Sequence, residues 1–503
     1  MNKTLQLRTE DNVIIALTAI TSGETVTSPL VSALDNIPAG HKLAAVPIAN
    51  GEAIIKYGQI IGYASKAIQA GEHVHTHNVV MADIQREHAI ASAASATVLA
   101  DQPATFQGYR RANGSAATRN YIGVLTTVNC SATVARMVAD AFRADALELY
   151  PNIDGVIAIT HQVGCCMGAE EEGMQQLQRT LAGFARHPNF GQVFIIGLGC
   201  ETNQISQLIK HQGLEQTNTL HSLTIQDKGG TRATVEHCVA AIKEQLPEIN
   251  RVARQTIAAR ELTLGLECGG SDGYSGISAN PALGAAVDLL VQQGGAAILS
   301  ETPEIYGAEH LLTARADSPA VGKKLLALID WWEDYARRNG SEMNNNPTHG
   351  NKAGGLTTIL EKSLGAVAKG GSTRLMDVYR YAEPVTSRGL VFMDSPGYDP
   401  MSITGQVASG ATVICFTTGR GSVYGCKPSP CIKLATNTAM YQKMQDDMDI
   451  NCGQIIDGAL SVQQMGHRIF EEILAVASGK KTLSEELGFG DNEFAPWMVG
   501  AQM

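Results

Sequence analysis

No stretch of about 18 uninterrupted apolar residues occurs in the 503 residues, which excludes a helical membrane span. The opening MNKTLQLRTEDN has no apolar core of signal-peptide length. Positive charge is in deficit, 38 Lys and Arg against 49 Asp and Glu, for a net charge of −11. That balance argues against a nucleic-acid or anionic-membrane partner, because both reward a basic face. It leaves room for a small anionic substrate, since a few local cations make a positive pocket inside an acidic protein. No GxxxxGK[ST] loop occurs in the glycine-rich stretches, and GLGCET lacks the third glycine of the dinucleotide fingerprint. Short-period repeats and long low-complexity tracts are absent as well. With no export signal, the ten cysteines read as reduced thiols of a cytoplasmic protein, and so as metal ligands, catalytic groups or core residues rather than disulfides.

What is present is enough apolar residue, 44%, with 17% charged, for two or three globular domains. Residues 1–81 carry short alternating runs, NVIIALTAI, KLAAVPIA and AIIKYGQIIGYA, separated by SGE, NGE and AGE turns. They predict a small β domain ending in GEHVHTHNVV, with His73, His75 and His77 at period 2 on one face of a strand. Residues 82–107 are rich in Ala, Ser and polar residues without an apolar stripe, and read as a linker. From residue 108 strand and helix signals alternate. YIGVLTTVNC, GVIAITHQVGC and QVFIIGLGC each precede an amphipathic run, and TLGLEC, GGAAILSE, RGLVFMDS and ATVICFTT continue the pattern beyond residue 259. The fold class expected is α/β, with parallel-sheet Rossmann-like units over 108–258 and 259–503 behind the β domain.

Cys130, Cys165 and Cys200 each close a predicted strand, 35 residues apart, and Cys268 follows after 68 more. That spacing suits one βαβ unit and then two. Ligands of open parallel sheets sit outside the carboxyl ends of the strands, so the four thiols are candidates to converge in one crevice. Thiolates suit iron, zinc or an iron–sulfur cluster. The alternative is four small residues packed in tight turns.

Glu201, Glu267 and Asp272 flank these cysteines and can ligate a hard cation or act as a base; for Asp272 and Ser271, helix capping competes. His161, just before a strand edge, is a candidate proton shuttle. NPTHGNKAGGLTT and FTTGRGSVYGCKP carry Lys352 and Arg420 among glycines, a cradle for an anion such as a carboxylate.

GYRRANGSAATRNYIGV, GLGCETNQ, ECGGSDGYSGISANP, NPTHGNKAGGLTT and FTTGRGSVYG together resemble the altronate and galactarate dehydratase family over essentially the whole chain. GEHVHTHN, GSDG and NKAGG are similar to its altronate branch. The doubled Cys165–Cys166 and the SPGYDP segment depart from the family's usual wording. The resemblance implies a β-clip (SAF-like) N-terminal domain, a homodimer, and a lyase that dehydrates a sugar acid with Fe2+ or Mn2+; the thiolates themselves leave an iron–sulfur cluster as an alternative cofactor. The proton next to the carboxylate leaves, the 3-hydroxyl follows, and the enol becomes a 2-keto-3-deoxy acid. On that reading Cys165, Cys200, Cys268 and Cys130, with Glu201, hold the metal. His161, His75, Glu267 and Asp272 are the acid–base candidates. Asn129, Arg119, Ser271, Lys352, Arg420 and Lys433 contact the substrate. Competing readings are another hydroxy-acid lyase of the family, an iron–sulfur redox protein and a non-catalytic sugar-acid sensor.

Overall fold

The period-2 runs of the N-terminal region fold into short antiparallel strands in the computed structural model, which describes residues 3–27, 29–82 and 88–500. Strands β1 (Thr4–Leu5), β2 (Val13–Ala16), β3 (Lys42–Ala44) and β4 (His73–Val74) form one sheet in that order. AIIKYGQIIGYA is not one strand but a hairpin, Ala53–Lys56 against Gln59–Ala64. It turns at Tyr57 and Gly58, both at positive φ (64° and 67°), the two-residue geometry whose twist matches the flanking strands. The histidine run also departs from expectation. Only His73 and Val74 are strand; His75–His77 form a turn, because the Asn78 side chain accepts from the His75 amide and donates to the His73 carbonyl.

Of the expected linker, residues 83–87 lie outside the described residues. Residues 88–104 hold no helix or strand and run along the C-terminal unit. The amides of Ala91, Ala93 and Ala100 donate to the carbonyls of Thr313, Ala314 and Gln292. Strand Thr105–Arg110 then pairs antiparallel with Gln255–Ala258, tying the two ends of the middle unit together.

The middle unit has four parallel strands, β5 (Tyr121–Thr126), β6 (Gly155–Ile159), β7 (Phe190–Gly197) and β8 (Leu220–Thr224), in the order β6-β5-β7-β8. The C-terminal unit has seven, all parallel: β9 (Thr263–Cys268), β10 (Ala296–Leu299), β11 (Leu375–Tyr379), β12 (Gly389–Met393), β13 (Val413–Thr418), β14 (Cys431–Ala435) and β15 (Ile450–Asn451). Their order is β11-β12-β10-β9-β13-β14-β15. Their residues are almost all buried, as strands covered on both faces must be.

The C-terminal unit shares apolar core with both others. Val13, Ile48 and Ile61 of the N-terminal domain pack in one cluster with Leu264, Leu283 and Ile469. Leu125, Leu181 and Ile195 of the middle unit join Tyr381, Ile403 and Phe416 in another. Among the described residues no helix is long and apolar enough to cross a membrane.

Candidate active site

In the seven-stranded sheet the chain leaves β9 toward β10 on one side and returns to place β13 on the other, so the order reverses between β9 and β13. The carboxyl ends of the two strands beside such a reversal open a crevice, where ligands of this architecture bind. Here those ends are the GGSDG loop after Cys268 and the GRG loop after Thr418. Asp272 organises both. Its buried carboxylate accepts from Ser275, the Tyr274 amide, Thr436 and Asn437. The short helix His349–Ala353 completes the wall: Asn351 Nδ2 donates to the Ser271 carbonyl (2.8 Å), and the Gly273 amide donates to Gly354 O (2.7 Å).

The N-terminal domain closes over this wall. A Cβ on Gly273 would stand 2.0 Å from the Gly40 carbonyl oxygen, so only glycine permits the approach. A buried ion triad fixes the contact: Lys42 and Lys56 of the β domain both pair with Glu361 of the C-terminal unit, at 2.9 and 2.8 Å. This closure delivers four histidines. His41 Nδ1 lies 3.0 Å from His73 Nε2, and His41 Nε2 lies 3.2 Å from the Ala353 carbonyl. Because that carbonyl can only accept, His41 Nε2 carries a proton and Nδ1 is left as an acceptor. The His75 ring is 4.8 Å from that of His41, the exposed His77 ring is 5.5 Å from that of His73, and His75 Nδ1 is buried without a partner. Burial, reinforced by nearby cations, lowers all three inner histidines, His73 to about 4 and His75 to about 3. They are neutral imidazoles at neutral pH.

Arg420 is exposed at the edge of the same crevice and its charge acts on His41. Lys352 lines an adjoining cavity of about 700 Å3 with Thr76, Val79, Asn344, Thr357 and Arg337.

Beside the crevice, under the ends of β9, β10 and β12, is a buried charge network. Lys369 Nζ sits 2.7 Å from Cys268 Sγ and 3.1 Å from Glu301, and Lys362 pairs with Glu304 at 2.7 Å. Ser402 and Gln406 donate to one oxygen of Glu267. The other Glu267 oxygen and Glu301 Oε1 have no other donor. Burial and the facing Glu301, to which Glu267 is hydrogen-bonded, push Glu267 well above the carboxylate range. Asp399, half-buried at the mouth of this network, is pushed up to about 7 by burial and by Glu301 and Glu304.

The sequence-predicted residues divide. Ser271, Asp272, His75, Lys352 and Arg420 come together at this seam. Glu267 and Cys268 stand in the network beside it. Asn129, Cys130, His161, Cys165, Cys200 and Glu201 lie at the carboxyl edge of the other, four-stranded sheet, so the four cysteines do not share one crevice. His161 is buried with both ring nitrogens on backbone, Nε2 to Thr126 O and Nδ1 to the Val163 amide, and is lowered by burial to about 4. Glu201 is likewise committed, to Thr127 Oγ1 and the Leu198 and Gly199 amides. Arg119 and Lys433 are engaged by the scaffold instead. Arg119 is 1% exposed and its guanidinium is taken up by Glu485 and three carbonyls. Lys433 is fully buried against the Tyr424 carbonyl.

Three family models match in register with these units. The altronate/galactarate dehydratase SAF domain matches residues 2–82, the D-galactarate dehydratase/altronate hydrolase second domain matches 108–250, and the D-galactarate/altronate dehydratase C-terminal domain matches 259–502. The chain belongs to the D-galactarate/altronate dehydratase family. Like the members it resembles, it is a hydro-lyase. It is 38% identical over 465 residues to galactarate dehydratase (L-threo-forming) of Escherichia coli K12, covering 90% of this chain and 89% of that one. It is 35% identical over 497 residues to altronate dehydratase of Bacillus subtilis, covering 97% and 98%, and 34% identical over 498 residues to altronate dehydratase of Escherichia coli K12, covering 96% and 97%.

Which residues of this dehydratase-family chain fit a divalent cation follows from their chemistry. Among the described residues, three sets of donors fall within 4.8 Å of one another: His41, His73 and His75; Cys268, Glu301 and Glu304; and Glu267, Glu301 and Asp399. The second already holds Lys369 and Lys362, and in the third Glu267 is taken up by Ser402, Gln406 and Glu301 while Glu301 pairs with Lys369. Only the histidines offer neutral lone pairs and an unpartnered buried nitrogen, with the Ala353 carbonyl fixing one tautomer from behind. His41 was missed in the sequence. It stands 32 residues before His73, in an unremarkable GHKL turn, and its one signal is a histidine directly after a β-turn glycine.

Proposed function

We propose that this hydro-lyase dehydrates a sugar acid, D-altronate to 2-keto-3-deoxy-D-gluconate, in the seam between the SAF and C-terminal domains. The observation that carries the reading is the delivery of three neutral imidazoles, one with a bare buried nitrogen, to the switch-point crevice beside Arg420. His41, His73 and His75 would hold an Fe2+ or Mn2+ ion. When bound it supplies Lewis-acid stabilisation of the charge that develops on the substrate carboxylate. Arg420 offers a fork of donors for that carboxylate and fixes which carbon faces the histidines. His77, on the exposed side of the cluster, accepts the proton from the carbon next to the carboxylate. Asp272 holds the GGSDG and GRG loops in register and takes no proton, since its oxygens are occupied by donors. The soluble unit is a homodimer on this reading.

A second reading, galactarate as substrate, is favoured by the 38% identity to a galactarate dehydratase. One experiment separates them. The anaerobically purified chain, loaded with ferrous iron, is given D-altronate and galactarate separately and the 2-keto-3-deoxy product is measured. Turnover of altronate, lost on His73→Ala and reduced through KM in Arg420→Ala, is expected. No turnover of either acid, or full activity in His73→Ala, would overturn the proposal.

A further inference from the structure

The four-stranded sheet carries a feature that the histidine site does not use. Six of the ten cysteines are buried, as free cysteine ordinarily is, whereas Cys130, Cys165, Cys166 and Cys200 are exposed. All four exposed thiols lie on one edge of one sheet. The loops after β5, β6 and β7 carry Cys130, Cys165 and Cys200, and these strands are adjacent in the order β6-β5-β7. The chain goes from β5 to β6 on one side and then to β7 on the other, so this edge is the sheet's own switch point. We propose that Cys130, Cys165 and Cys200 form a three-thiolate site for an iron–sulfur cluster, separate from the histidine seam.

The loops are built as one rigid rim. The Asn129 amide donates to Val163 O (3.1 Å), the Asn203 amide to Gly164 O (3.0 Å), and Asn203 Nδ2 to Thr127 O (3.0 Å). Gly164, at φ 105°, lies so close to the Cys130 loop that a Cβ there would stand 2.1 Å from Thr127 O. The neighbouring carboxylate, Glu201, is spent on this scaffold, so the available donors are sulfur and select a soft metal. A single zinc ion, with Zn–S of about 2.3 Å, would draw its sulfurs to within roughly 4 Å of each other. Among the described residues these three thiols do not fall within 4.8 Å of one another, so as they stand they do not fit one ion. Gln226 Nε2 stands 3.5 Å from Cys200 Sγ, the kind of donor that surrounds cluster thiolates.

The doubled cysteine resolves in favour of Cys165. Its sulfur is hydrogen-bonded by the Thr202 main chain of the Cys200 loop, which ties it to that loop. Cys166 itself sits at φ 55°. A cavity of about 660 Å3, lined by Asn129, Arg136, Thr160, His161 and Phe494, opens next to the rim. Cluster binding releases the three thiol protons and involves no other covalent change in the chain.

The test uses the full chain, purified anaerobically and reconstituted with ferrous iron and sulfide under a thiol reductant. Bound iron and acid-labile sulfide, the visible charge-transfer band, and the electron paramagnetic resonance signal after dithionite are read. The expected result is a sulfide-containing cluster in the wild type, in Cys166→Ser and in Cys268→Ser. Cys130→Ser, Cys165→Ser and Cys200→Ser each lose at least tenfold in bound sulfide. Circular dichroism checks their fold. If one is unfolded, protection of that thiol from alkylation in the reconstituted wild type decides. A wild type that takes up no sulfide, a site that takes only zinc, or a band that survives in any of the three variants overturns the proposal. Activity toward sugar acids plays no part, so failure here leaves the histidine site untouched.

Discussion

Glu361→Gln removes the negative charge that joins the SAF domain to the C-terminal unit. Glu361 is fully buried and accepts from Lys42 Nζ at 2.9 Å, Lys56 Nζ at 2.8 Å, and the Thr357 amide and hydroxyl at 3.0 and 2.8 Å. Burial alone would raise its carboxyl, yet Lys42 and Lys56 hold it far below the carboxylate range. A carboxylate lowered on folding contributes stability that is present above its unfolded pKa and is lost only as pH falls through the folded value. The triad therefore stays intact across the mildly acidic range. The variant keeps the shape of the side chain but leaves two ammonium groups in the interior with one amide oxygen between them. Breaking a buried pair in this way costs about 3–5 kcal/mol, a large share of the roughly 5–15 kcal/mol that holds a domain together. Urea unfolding followed by near-ultraviolet circular dichroism should show an early transition for the SAF domain. Turnover should fall with it, because His41 is the neighbour of Lys42. Replacing all three residues at once, Lys42→Met, Lys56→Leu and Glu361→Met, should recover most of the stability. A loss below about 1 kcal/mol in Glu361→Gln at neutral pH would refute the reasoning, since that is the scale of an exposed pair.

Gly273→Ala should unseat the SAF domain by a different route, because its Cβ would fall 2.0 Å from Gly40 O. A shift of about 1 Å in the histidines would lower turnover on the order of 100-fold, read by product assay. Asp399 keeps its proton in the fold up to about pH 7, so its contribution is fully present below the unfolded carboxylate value and is lost as pH rises through 7. Asp399→Asn should therefore melt above the wild type at pH 8 and converge with it near pH 4, by thermal denaturation. Arg119→Met leaves Glu485 without its partner and should destabilise by about 3–5 kcal/mol with an unchanged KM; a raised KM with an unchanged melting temperature would restore a substrate role.

Strand-end cysteines, glycine-rich loops and alternating runs were legible in the sequence because each is a local pattern. The parallel strands ending at Cys268 and Thr418 follow from apolar runs, and GGSDG and GRG follow from their glycines. The histidine cluster was half legible. His73 and His75 stand out by spacing, but their arrangement depends on Asn78 turning the chain, and His41 arrives from a separate strand. Glu301, Glu304, Lys362 and Lys369 gave no signal. In sequence they are ordinary charged residues, and burial alone makes them a network.

By itself the sequence determined the α/β class and the glycine-rich loops at the strand ends, since hydrophobic period and turn residues act over a few positions. Tertiary structure decided which loops meet. It placed Cys268 in one sheet and the other strand-end cysteines in another, turned Arg119 and Lys433 inward, and set three imidazoles over the switch point. Those outcomes depend on sheet order and on the close approach of Gly40 to Gly273, contacts between residues far apart in the chain that no local pattern encodes.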